Sequence, residues 1–296
     1  MPGVRGGKRL ERVYDTVEEL LSDPVIDLVY IAVPNHAHFE TCMNALEHGK
    51  NVVVEKPFAV NETQARAMIE KAREKNVFIG EALWPSFLPS CGLINEVIAS
   101  GEIGEVTGGK MVSLADVMFL DRVKKLETGG GALMDMGPYM IGRVVDHFGT
   151  DILSVTGRFE HLDTGVDAKD WYTIEYANGV KVDCVSTINT PREQYEEYGE
   201  IYGTKGKIRF DAMSNPREIA VFDADGNERR RLPIPPQIHG TKVPFIAGYE
   251  YEFLAFEKAL REGRKECAEA SNEMTLAIAK ALTELRRQAG VVFPFE

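Results

Sequence analysis

Val52-Val53-Val54-Glu55-Lys56-Pro57 is an apolar, β-branched run closed by an acid, a base and a proline. A short run of this kind, with no polar residue inside it, reads as a strand buried on both faces, as in a parallel sheet. A helix is expected from Glu62, so the chain passes from strand to helix soon after the proline. Open α/β sheets take ligands beyond the carboxyl ends of their strands, and Glu55, Lys56 and Pro57 fall there. Lys56 therefore projects into a crevice, beside an X-Pro bond of the type that can adopt cis. Alone, a Lys-Glu pair at a strand end is more often a solvated ion pair than a catalytic site. The neighbouring sequence has to carry the functional reading.

Upstream, Leu28-Val29-Tyr30-Ile31-Ala32-Val33 reads as a second buried strand ending at Pro34-Asn35. A helix from His38 to His48 follows, closed by Gly49. Before it, Asp15 is expected to cap a short helix that Asp23-Pro24 stops. The opening Gly3, Gly6 and Gly7 have neither the spacing nor the preceding strand of a phosphate loop. Downstream, a helix over Glu62–Lys75 leads to a strand at Val77-Phe78-Ile79-Gly80. Alternating strands and helices predict parallel strands joined by right-handed crossovers.

Beyond Glu81-Ala82-Leu83-Trp84 and a helix from Cys91 to Ser100, the pattern changes. Trp171–Tyr176 and Val180–Val185 flank Asn178-Gly179, a hairpin signal. Tyr198–Tyr202 with Lys207–Phe210, and Ile219–Asp223 with Glu228–Leu232, give two more hairpins. The chain thus divides into an α/β domain over residues 1–90 and an α+β domain over 91–296, whose open, mostly antiparallel sheet has helices on one face. Long helices are expected at 247–261 and 271–289, the last free to pack back on the first domain.

A net charge of −12 disfavours nucleic acid or an anionic membrane as partner. Four scattered cysteines, Cys42, Cys91, Cys184 and Cys267, have no C-x-x-C spacing and read as free thiols of a reducing compartment. No apolar run is long enough to span a bilayer, so a cytoplasmic protein is expected. His36 and His38 form an H-x-H pair in a strand-to-helix turn, with no acid or Cys cluster to complete a metal site, and no metal is expected.

One further stretch bears on chemistry: Gly129-Gly130-Gly131-Ala132-Leu133-Met134-Asp135-Met136-Gly137-Pro138-Tyr139. Glycines let a backbone pass close to a ligand or a helix. Asp135 and Tyr139, four apart, would share one helical face, although Pro138 suits a first turn better than a helix interior. The plain structural reading is a core helix with a capping Asp and a buried Tyr.

In order along the chain, V-P-N-x-x-H (Val33, Pro34, Asn35, His38), Glu55-Lys56-Pro57 and G-G-x-x-x-D-x-G-x-Y together resemble the Gfo/Idh/MocA oxidoreductases. Glu81-Ala82-Leu83-Trp84 and Tyr139 further resemble the dihydrodiol dehydrogenase and aldose-reducing branch, which tends to have Arg where this chain has Ser86. The resemblance implies a Rossmann-like first domain, NAD or NADP as cofactor, and a sugar, polyol or diol as substrate. It implies Lys56, Tyr139 and Asp135 as catalytic residues. Pro34, Asn35, His38, Glu55, Lys56, Pro57, Glu81 and Trp84 would line the cofactor. A homodimer or higher homo-oligomer through the second domain's sheet is also implied.

The sequence holds no strand followed by G-x-G-x-x-G, so the Rossmann-like domain is expected to be incomplete, lacking its first βαβ unit. The alternative reading is a truncated, cofactor-free scaffold or sugar-binding subunit of the same fold.

Overall fold

The computed structural model describes residues 12–236 and 248–296. The Gly-rich opening and the first residues of the helix expected over 247–261 (position 247) lie outside them. Eight helices are described: α1 (Val17–Ser22), α2 (His38–Glu47), α3 (Glu62–Lys75), α4 (Pro89–Ala99), α5 (Ala132–Asp135), α6 (Gly137–Phe148), α7 (Tyr249–Arg261) and α8 (Asn272–Ala289).

Strands β1 (Leu28–Ile31), β2 (Asn51–Glu55) and β3 (Ile79–Ala82) form a parallel sheet in that order. Val52 and Val54 turn to one face and meet Ala45 and Leu46 of α2 and Met68 and Ile69 of α3. Val53 turns to the other, against Phe78 and, on α7, Phe256 and Ala259. All three valines are fully buried, each contributing roughly 2 kcal/mol from burial. Covering both faces is what makes the run uniformly apolar.

Several boundaries differ from the sequence reading: β1 ends at Ile31, not Val33, and α4 starts at Pro89, not Cys91. The cap of α1 is Thr16, not Asp15: its hydroxyl accepts the Glu19 amide while the Glu19 side chain reaches back, a capping box. Strand β3 starts later than expected and runs through Glu81. A carboxyl is tolerated inside it because the Phe58 amide and the Thr275 hydroxyl both donate to it.

The second sheet has eight strands: β4 (Val106–Leu114), β5 (Ile152–His161), β6 (Asp167–Tyr176), β7 (Lys181–Thr187), β8 (Glu196–Gly203), β9 (Gly206–Phe210), β10 (Ile219–Asp223) and β11 (Glu228–Arg231). Their order is β11-β10-β9-β8-β4-β7-β6-β5, antiparallel except between β4 and β7. The three hairpins read from the sequence form as expected. Strands β4 and β5 were not evident there. Gly108 and Gly109 give β4 the look of a loop, yet an added Cβ at Gly109 would come within 2.7 Å of the Phe148 ring, so the helix packs where a side chain would be.

One face of this sheet is covered by α4, α6 and α8 through Val97, Ile141, Val144, Leu282 and Leu285. On the other, Trp171, Tyr198 and Phe222 lie beside Arg158, Lys169, Arg209 and Lys207. Helix α8 serves both cores: Ala279 packs with α2 and α3, and Ile278 and Leu285 with the second sheet. Its Arg286 donates to the Val60 carbonyl and pairs with Glu296.

Candidate active site

The site forms where β2 ends. The Lys56–Pro57 peptide is cis, and the turn is held from behind by His38, fully buried between two carbonyls: Nδ1 lies 2.9 Å from Pro57 O and Nε2 2.8 Å from Val33 O. Burial pushes the His38 pKa down, with the two carbonyls acting against it. The ends of β1 and β2 are thereby tied together.

Lys56 turns inward, its side chain 11% exposed. Its ammonium donates to the Asp135 carbonyl at 2.8 Å and lies 3.5 Å from Asp135 Oδ1. It also sits 4.4 Å above the centroid of the Tyr139 ring. Burial works against the ammonium, but Tyr139 and Asp135 outweigh it and raise its pKa. Asp135 in turn accepts Arg122 Nη1 at 2.8 Å. Burial would favour the neutral acid, yet Lys56 and Arg122 together keep Asp135 below the ordinary carboxylate value. Tyr139 stays a phenol: burial raises its pKa, and Lys56 only partly offsets this.

The expected shared helical face is not how Asp135 and Tyr139 meet Lys56. The helix breaks at Met136, so Asp135 ends α5 and Tyr139 lies in the first turn of α6, which Pro138 opens. Both still reach Lys56. Tyr139 packs edge-on to Trp84, and Trp84 stacks on Tyr249 with ring centroids 4.8 Å apart. The Trp84 indole N–H is buried without an acceptor.

The other expected cofactor residues divide in two. Asn35 donates to the Gly129 carbonyl at 2.9 Å, joining the β1 turn to the Gly-rich loop, and Pro34 precedes it at the strand end. Glu55 accepts the Tyr30 hydroxyl at 2.5 Å and the Lys56 amide at 3.2 Å. Glu81 and His38, by contrast, are wholly engaged inside the protein and brace the turn from behind. Burial pushes Glu81 up to about 7. His36 faces the Phe295 ring, away from His38, so the H-x-H pair does not converge. Ser86 donates to the buried Asp146 at 3.1 Å, so this position also points inward.

Arg122, Tyr30, Tyr249 and Glu252 were not singled out in the sequence. For Arg122 a signal existed: a base shortly before a glycine turn, whose carbonyl crowds Gly130 so closely that an added Cβ would be 2.7 Å away. Glu252 gave none. It is fully buried with neither carboxyl oxygen hydrogen-bonded among the described residues, and burial, then Glu55, push it up to about 8.

A parallel sheet with a lysine at a strand end, joined to an open, mostly antiparallel sheet with helices on one face, is an α/β plus α+β architecture. The chain belongs to the Gfo/Idh/MocA family: residues 8–82 match the model "Oxidoreductase family, NAD-binding Rossmann fold" and residues 93–209 the "GFO/IDH/MocA C-terminal domain". It is 30% identical to trans-1,2-dihydrobenzene-1,2-diol dehydrogenase of Mus musculus, over 96% of this chain and 84% of that protein. A levoglucosan dehydrogenase solved with NADH and levoglucosan is 25% identical, with a TM-score of 0.79 over 94% of this chain and 81% of that one. A 3-ketoreductase from Actinomadura kijaniata, solved with NADP and TDP-benzene, shares the fold at 21% identity, TM-score 0.79, over 92% and 81% of the two chains. The protein is accordingly an oxidoreductase of the NAD(P)-dependent kind. Among the described residues no helix is long and apolar enough to cross a membrane.

Proposed function

We propose that this chain interconverts a hydroxyl and a carbonyl group on a sugar, polyol or cyclic diol, using Lys56 and Tyr139 at the end of β2. The observation that carries this is the Lys56 ammonium, buried, held by the Asp135 carbonyl and lying over Tyr139. An ammonium so fixed stabilises negative charge developing on a substrate oxygen, and it needs no rearrangement to do so. Asp135 holds its orientation, and Arg122 holds Asp135. Tyr139, a phenol, can give a proton to a carbonyl oxygen during reduction and recover it during oxidation.

The residues at this end of the sheet suit the nicotinamide end of a dinucleotide: the buried Trp84 N–H has no hydrogen-bond acceptor among the described residues, and β1 and β2 end there. Pro34, Asn35, Glu55, Lys56, Pro57 and Trp84 would line it, with His38 and Glu81 behind. NAD or NADP, when bound, supplies or accepts the hydride. The stacked Trp84 and Tyr249 offer an aromatic wall suited to the C–H face of a pyranose or a diol ring. The curated relative named for a benzene diol and the solved one holding levoglucosan support that substrate class. We take the domain boundary near residue 90, the setting as cytoplasmic, and the oligomer as a homodimer.

Calorimetric titration with NAD(H) and NADP(H) tests the reading. Saturable binding of either dinucleotide is expected. No heat with any of the four would favour the cofactor-free scaffold or sugar-binding subunit instead.

A further inference from the structure

We propose that Asp167 and Asp170 hold one proton between them and act as positioning residues that set the cradle of Lys56. Both sit on β6 and both are 0% exposed. Asp167 Oδ2 accepts the Leu133 amide at 2.6 Å, and Asp170 Oδ2 accepts the Ser186 hydroxyl at 3.2 Å. That leaves one oxygen on each side chain, Oδ1 in both cases, buried and without a hydrogen-bond partner among the described residues. The titratable groups that face the pair are each other and His161 of β5, and among the described residues neither forms an ion pair with a lysine or arginine. Two adjacent buried carboxylates cannot both be ionised without strong repulsion. A single proton between the two orphan oxygens satisfies both and leaves one charge. That charge belongs on Asp167, the member that receives a backbone N–H; burial, then its neighbour, hold Asp170 neutral.

The pair acts on the site through α5. Asp167 Oδ1 also lies against the Gly131 backbone, where an added Cβ would be only 2.3 Å away, and Gly131 has φ +113. The Gly131 carbonyl accepts the Asp135 amide at 3.0 Å. Asp135 then holds Lys56 through its own carbonyl and carboxylate. Asp167 thus holds the N-terminal end of α5, through the Leu133 amide and against Gly131, and acts on Lys56 only through Asp135. This also gives the Gly-rich motif a reason: Gly131 is the residue that lets the pair come this close.

The inference rests on reading Lys56 as the cation of the reacting site, but its test does not need turnover. The Lys56 ammonium is titrated by NMR in protein carrying isotope-labelled lysine, with no dinucleotide present. Asp167→Ala is expected to lower the Lys56 pKa by about one unit, because Asp135 loses its aim. Asp170→Asn keeps a donor toward Asp167 and should leave the Lys56 titration unchanged. Its infrared difference spectrum at neutral pH should show the loss of one protonated carboxyl band. A folded Asp167→Ala protein with an unaltered Lys56 titration would overturn the proposal. So would an Asp170→Asn spectrum that loses an ionised carboxylate band instead, and this arm decides alone if Asp167→Ala does not fold. Failure to bind dinucleotides would count against the proposed function and leave these two outcomes readable.

Discussion

At the scale of single residues, the site separates charge from proton. Lys56 is kept cationic by Asp135 and Tyr139 despite burial, whereas burial keeps Tyr139 protonated. Tyr139→Phe removes only the hydroxyl, since the ring face above which Lys56 sits remains. Turnover should fall about 100-fold or more, with dinucleotide affinity retained. Steady-state rates with calorimetric Kd values check this, and a near-normal rate would move the proton to Lys56 or water. Glu252 gives a different expectation. Its folded-state pKa, about 8, lies far above an ordinary glutamate, so the folded protein binds a proton that the unfolded chain releases. Stability from that proton is fully present below about pH 4 and is lost as pH rises through 8. Glu252→Gln should therefore gain on the wild type in melting temperature between pH 5 and 9. A difference independent of pH would show that Glu252 does not titrate in that window.

At the scale of elements, what the sequence made legible was set by periodicity. Val52–Val54 could be read because a strand covered on both faces has to be apolar throughout, and Asn178-Gly179 because few residues accept that turn. Strand β4 escaped because its glycines answer to a helix packed across it, a tertiary cause that leaves no local pattern. The same holds for the site. Lys56, Asp135 and Tyr139 were legible as an ordered set of motifs. Tyr249 and Glu252 come from a distant segment that only folding brings close, and Arg122 lies in the irregular stretch before the Gly-rich turn. The second sheet carries its own prediction. Its uncovered face has Trp171 opposite Val185, and Val185 opposite Val112, which faces Tyr198. A continuous row of this kind, rimmed by Arg158, Arg209 and Lys207, suits a two-fold partner. Sedimentation at micromolar concentration should show a dimer, and Trp171→Glu should dissociate it. A monomer for the unaltered chain would refute the pairing.

At the scale of the whole molecule, the chain is acidic, at −12, yet two cations, Lys56 and Arg122, gather around one carboxylate, Asp135. Screening over roughly 8 Å at physiological salt weakens the exposed charges, whereas the largely buried Lys56–Asp135 pair is screened much less. Helix α8, packed on both cores, joins the sheet that carries Lys56 to the domain that supplies Asp135 and Tyr139. Under the proposed function, a substrate would meet groups from both domains at once. The central claim is that Lys56 is the electrostatic centre of hydride transfer. The most direct test follows the appearance of reduced dinucleotide from NAD or NADP with a cyclic diol or pyranose, comparing wild type and Lys56→Ala. The rate should fall about 100- to 1,000-fold while the melting temperature stays close to wild type. An unchanged rate accompanied by a lowered melting temperature would make Lys56 a structural residue and contradict the claim.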